Sequence, residues 1–204
     1  MREDSKATMF RRKRIERFLR LVRPPCRILD VGGTFSYWRS LKVLYRAPDV
    51  SITIVNLDAE EQVDHNLCIR PGDACDLSQF EDGAFDIVHS NSVIEHVGDW
   101  ASVCAMAGEV RRLAPAHFVQ TPNFYFPIEP HFMLPAVHWL PEDARLRILQ
   151  WSGKVSPDRE RALQWIRSIR LLTPNEMAEL FPESVIWEER FVGLTKSLVA
   201  IKAT

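Results

Sequence analysis

The chain has no apolar run near the roughly 20 residues that span a bilayer, and its charged first segment is not followed by an apolar signal core. A cytoplasmic location is the expectation. Its four cysteines, Cys26, Cys68, Cys75 and Cys104, show no paired ligand spacing, and a chain of 204 residues is too large to need a disulfide framework. They read as reduced, mostly buried thiols. Lysine and arginine number 26 against 27 acids, a formal net charge of -1. That leaves no global field favouring nucleic acid or an anionic membrane. His89, His96, His117, His131 and His138 do not follow a zinc-ligand spacing. No metal is therefore expected, and activity is expected to survive chelation. Repeats and low-complexity stretches are also absent. What is present is ordinary for a packed protein, 46% hydrophobic and 26% charged residues.

Patterning along the chain alternates strands and helices. Met9 to Arg23 sets Ile15, Phe18, Leu19 and Val22 at helical spacing among arginines, and Pro24-Pro25 ends it. Strands are predicted at Cys26 to Val31, Ser51 to Val55, Leu67 to Arg70, Phe85 to His89 and His117 to Gln120, with helices at Tyr37 to Tyr45 and Trp100 to Leu113. This rhythm implies a doubly wound, mostly parallel sheet of the Rossmann-like α/β class. After Thr121-Pro122-Asn123 the rhythm breaks into a proline-punctuated, aromatic stretch and helical material from Glu142 to Ile169. Thr173-Pro174-Asn175-Glu176 then carries a capping-box signature, and two closing strands, Val185 to Phe191 and Ser197 to Ile201, suit an antiparallel hairpin turning at Gly193. One domain over 1–204 is expected. Its parts are an N-terminal helix (1–24), a core (25–123), a helical insertion (124–172), and a closing helix and hairpin (173–204).

Ligands of such sheets sit beyond the carboxyl ends of the strands. There the first strand ends in Asp30-Val31-Gly32-Gly33-Thr34, whose glycines let backbone approach a ligand. A dinucleotide fold prefers Gly-x-Gly-x-x-Gly, and the second and third glycines are missing. The acid before the glycines suits a cationic ligand better than a pyrophosphate. Asn56 and Asp58 follow the second strand and can accept from sugar hydroxyls. Gly72-Asp73-Ala74 follows the third, where an acid can accept from a base amino group or simply shape a turn.

Taken in order, Ile28 to Thr34, Asn56-Leu57-Asp58, Gly72 to Leu77, Phe85 to Val88 and Ser92-Val93-Ile94-Glu95-His96-Val97 resemble the motifs of class I S-adenosylmethionine-dependent methyltransferases. The resemblance covers about Cys26 to Asn123, and the closing hairpin resembles that family's sixth and seventh strands. It implies a seven-stranded sheet and S-adenosylmethionine as cofactor. By position, Asp30, Gly32 and Gly33 would hold the methionine end of the donor. Asn56 or Asp58 would take the ribose, Asp73 with Ala74 the adenine, and Ser90 and Asn91 would line the sulfonium. The glycine motif is shorter than the family's, which leaves the role of Thr34 open. Glu95 and His96 read either as a wall of the donor pocket or as a capping carboxylate and a packed histidine.

The acceptor side is expected in the insertion, because it leaves the fifth strand on the same rim. Glu129 and His131 are the titratable groups placed there to orient an acceptor or take its proton, or else to cap and pack. The expected partner is a small-molecule or glycan or lipid-intermediate acceptor. Two other readings stay open, a methyltransferase-like interaction module and a nicotinamide-dependent oxidoreductase.

Overall fold

The computed structural model describes residues 6–204, with side chains from Arg11 onward. Strands β1 (Cys26–Val31), β2 (Val50–Asn56), β4 (Leu67–Pro71), β5 (Ile87–Asn91) and β6 (Ala116–Pro122) are mutually parallel, and β3 (Gln62–Asp64) pairs antiparallel with β4. Together with the hairpin β9 (Val185–Phe191) and β10 (Leu194–Lys202) they form one sheet in the order β3-β4-β2-β1-β5-β6-β10-β9. Strand β10 runs antiparallel to both neighbours. The fold is the Rossmann-like α/β architecture expected, with eight strands in the main sheet among the described residues instead of seven. The extra one is the short edge strand β3, whose three residues are too few to carry a periodic signal.

Each face of the sheet is covered because β1, β2 and β5 are apolar on both sides. On one face α3 (Trp100–Leu113) and α6 (Pro174–Leu180) bury Val103, Met106, Met177 and Leu180 against Leu29, Val31, Val88 and Leu198. On the other, α1 (Lys6–Leu19) and α2 (Phe35–Ser40) bring Phe18 and Trp38 onto Ile28, Ile52, Ile87 and Phe118. Helix α1 stops at Leu19, short of Arg23, and α2 stops at Ser40, short of Tyr45. Beyond each end, turns bonded one residue closer replace the helical ladder, as in Leu44 N–H to Leu41 O at 2.9 Å. The capping box at Thr173 and Glu176 forms as its sequence requires.

The insertion contains two helices where the pattern suggests one stretch, α4 (Glu142–Trp151) and α5 (Arg159–Arg167). Leu146, Leu149, Ala162 and Ile166 pack with Phe132 and Val137 into a separate small core. Ahead of them lies a two-stranded ribbon, β7 (Ile128–Glu129) with β8 (Leu134–Pro135). Among the described residues no helix is long and apolar enough to cross a membrane.

His117 of β6 is 1% exposed, and burial pushes its pKa down to about 4, with Lys202 and Arg111 adding to the shift and Glu183 opposing it. Its Nε2 meets Ser184 Oγ at 2.6 Å. An unfolded histidine titrates near 6.5, so the neutral ring contributes roughly 3 kcal/mol of stability above that pH. This contribution is lost as pH falls toward 4. Glu95, raised to about 7 by burial, has the opposite sign, but it is common to wild type and variant and cancels in their difference. Urea melts between pH 7 and 4 are expected to show a shallower acid decline for His117→Gln than for wild type. Parallel declines would contradict the assignment.

Candidate active site

The strand order reverses between β1 and β5, so the carboxyl ends of these strands open a crevice. Asp30 and His89 are register partners across it. Asp30 is 1% exposed, and its carboxylate accepts from His89 Nδ1 at 2.7 Å and from Trp38 Nε1 at 2.5 Å. It is engaged by the core, whereas the family resemblance assigns it to the methionine end of a donor. A Cβ on Gly33 would lie 1.6 Å from Asp30 Oδ2, so the glycine loop rests directly on this carboxylate. Gly32, at φ +77°, adopts a backbone that L side chains avoid, and a Cβ there would meet Val93 Cγ2 at 2.4 Å.

Beyond this loop, Gly33, Thr34, Asn56 and Asp58 line one cleft of about 370 Å³ with Phe35 and Ile69. Thr34 caps α2, its hydroxyl accepting from Tyr37 N–H. Asn56 donates its amide to Gly33 O at 3.4 Å. The other expected donor residues are not brought into that cleft. Asp73 accepts from Cys75 N–H at 2.9 Å within a turn, and Ala74 packs against the core. Ser90 is buried and donates to Val31 O at 3.1 Å.

Asn91 Oδ1 accepts from Arg14 Nη1 at 2.7 Å, and the same nitrogen donates to Gln120 Oε1 at 2.7 Å. Arg14 also pairs with the buried Glu189 at 3.2 Å. An arginine in a basic helix reads as a solvated one, so nothing local to Arg14 marks it as the residue that ties α1 to the ends of β5 and β6. Beside it, Ser92, Gln120, Phe126, Ile128, Met133 and Phe191 help to line a second cavity of about 530 Å³.

The insertion places its own groups on this rim. Glu129 is 1% exposed; its Oε2 accepts from Phe132 N–H and its Oε1 from His131 Nδ1, both at 2.6 Å. His131 Nε2 lies 3.1 Å from His96 Nε2. Glu95, in the short turn Ile94–His96, is fully buried and accepts from Thr121 Oγ1 at 2.9 Å. Burial raises its carboxyl to about 7. Partial burial, with His131 adding to it, holds His96 below the usual histidine range. Glu95, His96 and His131 thus each offer a ligand atom within 4.8 Å of the others. The spacing of the histidines along the sequence gives no sign of this group of two histidines and one glutamate. The ligands come from two segments, and linear spacing does not register such a set.

Residues 29–114 match the family described as "Methyltransferase domain". A comparison with curated proteins finds no match. Among solved structures, the chain superposes on a protein from Bordetella parapertussis, described as a possible exported protein, with a TM-score of 0.61 and 18% identity over 97% of this chain and 68% of that one. An O-methyltransferase family protein from Burkholderia thailandensis gives 0.53 at 15% identity, covering 97% and 58%. Phosphoethanolamine N-methyltransferase 2 of Haemonchus contortus, in complex with S-adenosyl-L-methionine, gives 0.54 at 16% identity, covering 87% and 38%. The domain match spans residues 29–114, under half of the chain, and over that segment the chain is similar to the class I S-adenosylmethionine-dependent methyltransferases. S-adenosylmethionine is the cofactor of that class.

Proposed function

We propose that the chain, acting in the cytoplasm, moves a methyl group from S-adenosylmethionine to a small-molecule or glycan or lipid-intermediate acceptor. The observation that carries this reading is the sharing of one sheet rim by three features. These are the cleft of Gly33, Thr34, Asn56 and Asp58, the neighbouring cavity, and the Glu129–His131 pair.

The donor set fits the cofactor. A carboxylate and an amide at the end of β2 suit a ribose diol, and a glycine loop beside them admits the rest of the molecule. When bound, the cofactor supplies an electrophilic methyl. Asp30, held by Trp38 and His89, sets the height of the glycine loop. The cavity of about 530 Å³ is in the range of small-molecule sites, and its apolar walls would exclude water from an acceptor seated there. His131, its ring orientation fixed by Glu129, engages the acceptor.

Donor binding tests the reading at the ribose. Calorimetry with S-adenosylhomocysteine is expected to show at least about tenfold weaker binding for Asp58→Ala, because a charged acceptor of two hydroxyls is lost. Asn56→Ala should lose less, its amide being spent on Gly33 O. Equal and negligible losses would mean that neither residue touches the ribose.

A further inference from the structure

We propose that Glu95, His96 and His131 form a binding site for one divalent transition ion of the zinc or cobalt kind. Its open positions would face the acceptor side of the rim. The ion site stands on its own geometry, whereas its orientation toward an acceptor rests on the methyltransferase reading.

Two imidazole nitrogens bound to one ion at about 2.0–2.1 Å, with angles of tetrahedral or octahedral size, lie roughly 3–3.4 Å apart. The Nε2 atoms of His96 and His131 are 3.1 Å apart. Their approach is also oriented. His131 Nδ1 lies 2.6 Å from Glu129 Oε1, and in the tautomer with the ring proton on Nδ1 the Nε2 lone pair points toward His96 Nε2. This carboxylate–histidine arrangement is the one that commonly supports a metal-bound imidazole from behind. Glu129 is itself fixed, its other oxygen accepting from Phe132 N–H.

The third ligand provides an independent observation. Glu95 is fully buried, and its Oε1 has no hydrogen-bond partner among the described residues. A buried carboxylate oxygen left unpaired costs on the order of 1–3 kcal/mol, more when charged. A cation between it and the two nitrogens removes that cost. Two histidines and one glutamate suit zinc, cobalt, iron or manganese better than calcium or magnesium, and three protein ligands leave positions for an outside oxygen. His96 opens to the surface, which gives an ion a way in, and Trp165 stacks along its outer face at 6.5 Å between centroids. A hydroxyl or carboxylate of the acceptor is the group that would fill the open position, so this site favours acceptors methylated at or beside oxygen. With the ion in place, His131 Nε2 is a ligand and does not serve as the base.

The test uses the full chain, stripped with chelator and titrated with Zn²⁺ by calorimetry and with Co²⁺ by visible absorption. One equivalent is expected to bind to wild type and to the surface control His65→Ala. His96→Ala and His131→Ala should each bind at least tenfold more weakly and lose the low-coordinate Co²⁺ spectrum. Glu129→Gln should weaken binding by roughly 10- to 100-fold while thermal stability reports its fold. Absence of stoichiometric binding to wild type, or equal binding in both histidine variants, would overturn the site. S-adenosylhomocysteine binding by the stripped protein is measured alongside. If it persists while Zn²⁺ fails to bind, only the ion is rejected; its loss would strike the methyltransferase reading instead.

Discussion

Gly33→Ala is expected to destabilise the protein by about 3 kcal/mol or more, and to abolish donor binding in whatever remains folded. The added Cβ would stand 1.6 Å from Asp30 Oδ2. That oxygen cannot move aside cheaply, because Trp38 Nε1 and His89 Nδ1 hold the carboxylate in a site where Asp30 is 1% exposed. Either the loop lifts off β1 or two buried hydrogen bonds break. Asp30→Ala alone should also cost about 3 kcal/mol, by leaving an indole and an imidazole donor unpaired in the core. The two changes share one cause, so the double variant Asp30→Ala, Gly33→Ala is expected to be little worse than Asp30→Ala. Denaturant melts of the four proteins measure this directly. Simple addition of the two losses would show that the carboxylate is not what Gly33 rests on.

His131→Ala and Glu129→Gln are expected to slow methyl transfer by about 10²-fold or more, the scale of a lost acceptor-side group. Donor binding should stay within about 1 kcal/mol of wild type, since neither residue lines the cleft of Gly33, Asn56 and Asp58. Single-turnover rates with labelled donor, paired with S-adenosylhomocysteine calorimetry, separate the two quantities. Weakened donor binding together with lower thermal stability would mean that the pair only packs the ribbon β7–β8. Full activity in both variants would remove them from the site. Chelation distinguishes the two ways in which the pair can act: transfer limited by the bound ion falls on stripping and returns with Zn²⁺, whereas a free His131 base is indifferent to it.

The parallel sheet was legible because β1, β2 and β5 are short apolar runs ending in small or polar residues, a pattern that only a doubly covered sheet accommodates. The Thr173 capping box was legible for a local reason, since both of its hydrogen bonds lie within four residues. Helix ends were not, because Leu41 and Leu44 keep helical spacing while their backbone closes into turns. The cleft residues Gly33, Thr34, Asn56 and Asp58 followed from strand ends alone. The partners of Asp30 were not legible, because an acid at a strand end looks the same in sequence whether or not a buried histidine 59 residues away bonds to it. The Glu95, His96 and His131 trio stayed hidden for a related reason, since His131 meets His96 across 35 residues and only the path of the insertion brings them together.

Calorimetric titration of the purified full chain with S-adenosylmethionine under reducing conditions tests the proposed methyl transfer at its first requirement, donor binding. Saturable one-to-one binding is expected at the micromolar level, a free energy of about -8 kcal/mol, weakened by Asp58→Ala and unmatched by any heat from a nicotinamide dinucleotide. No binding by the wild-type protein, or preference for the dinucleotide, would contradict the proposal.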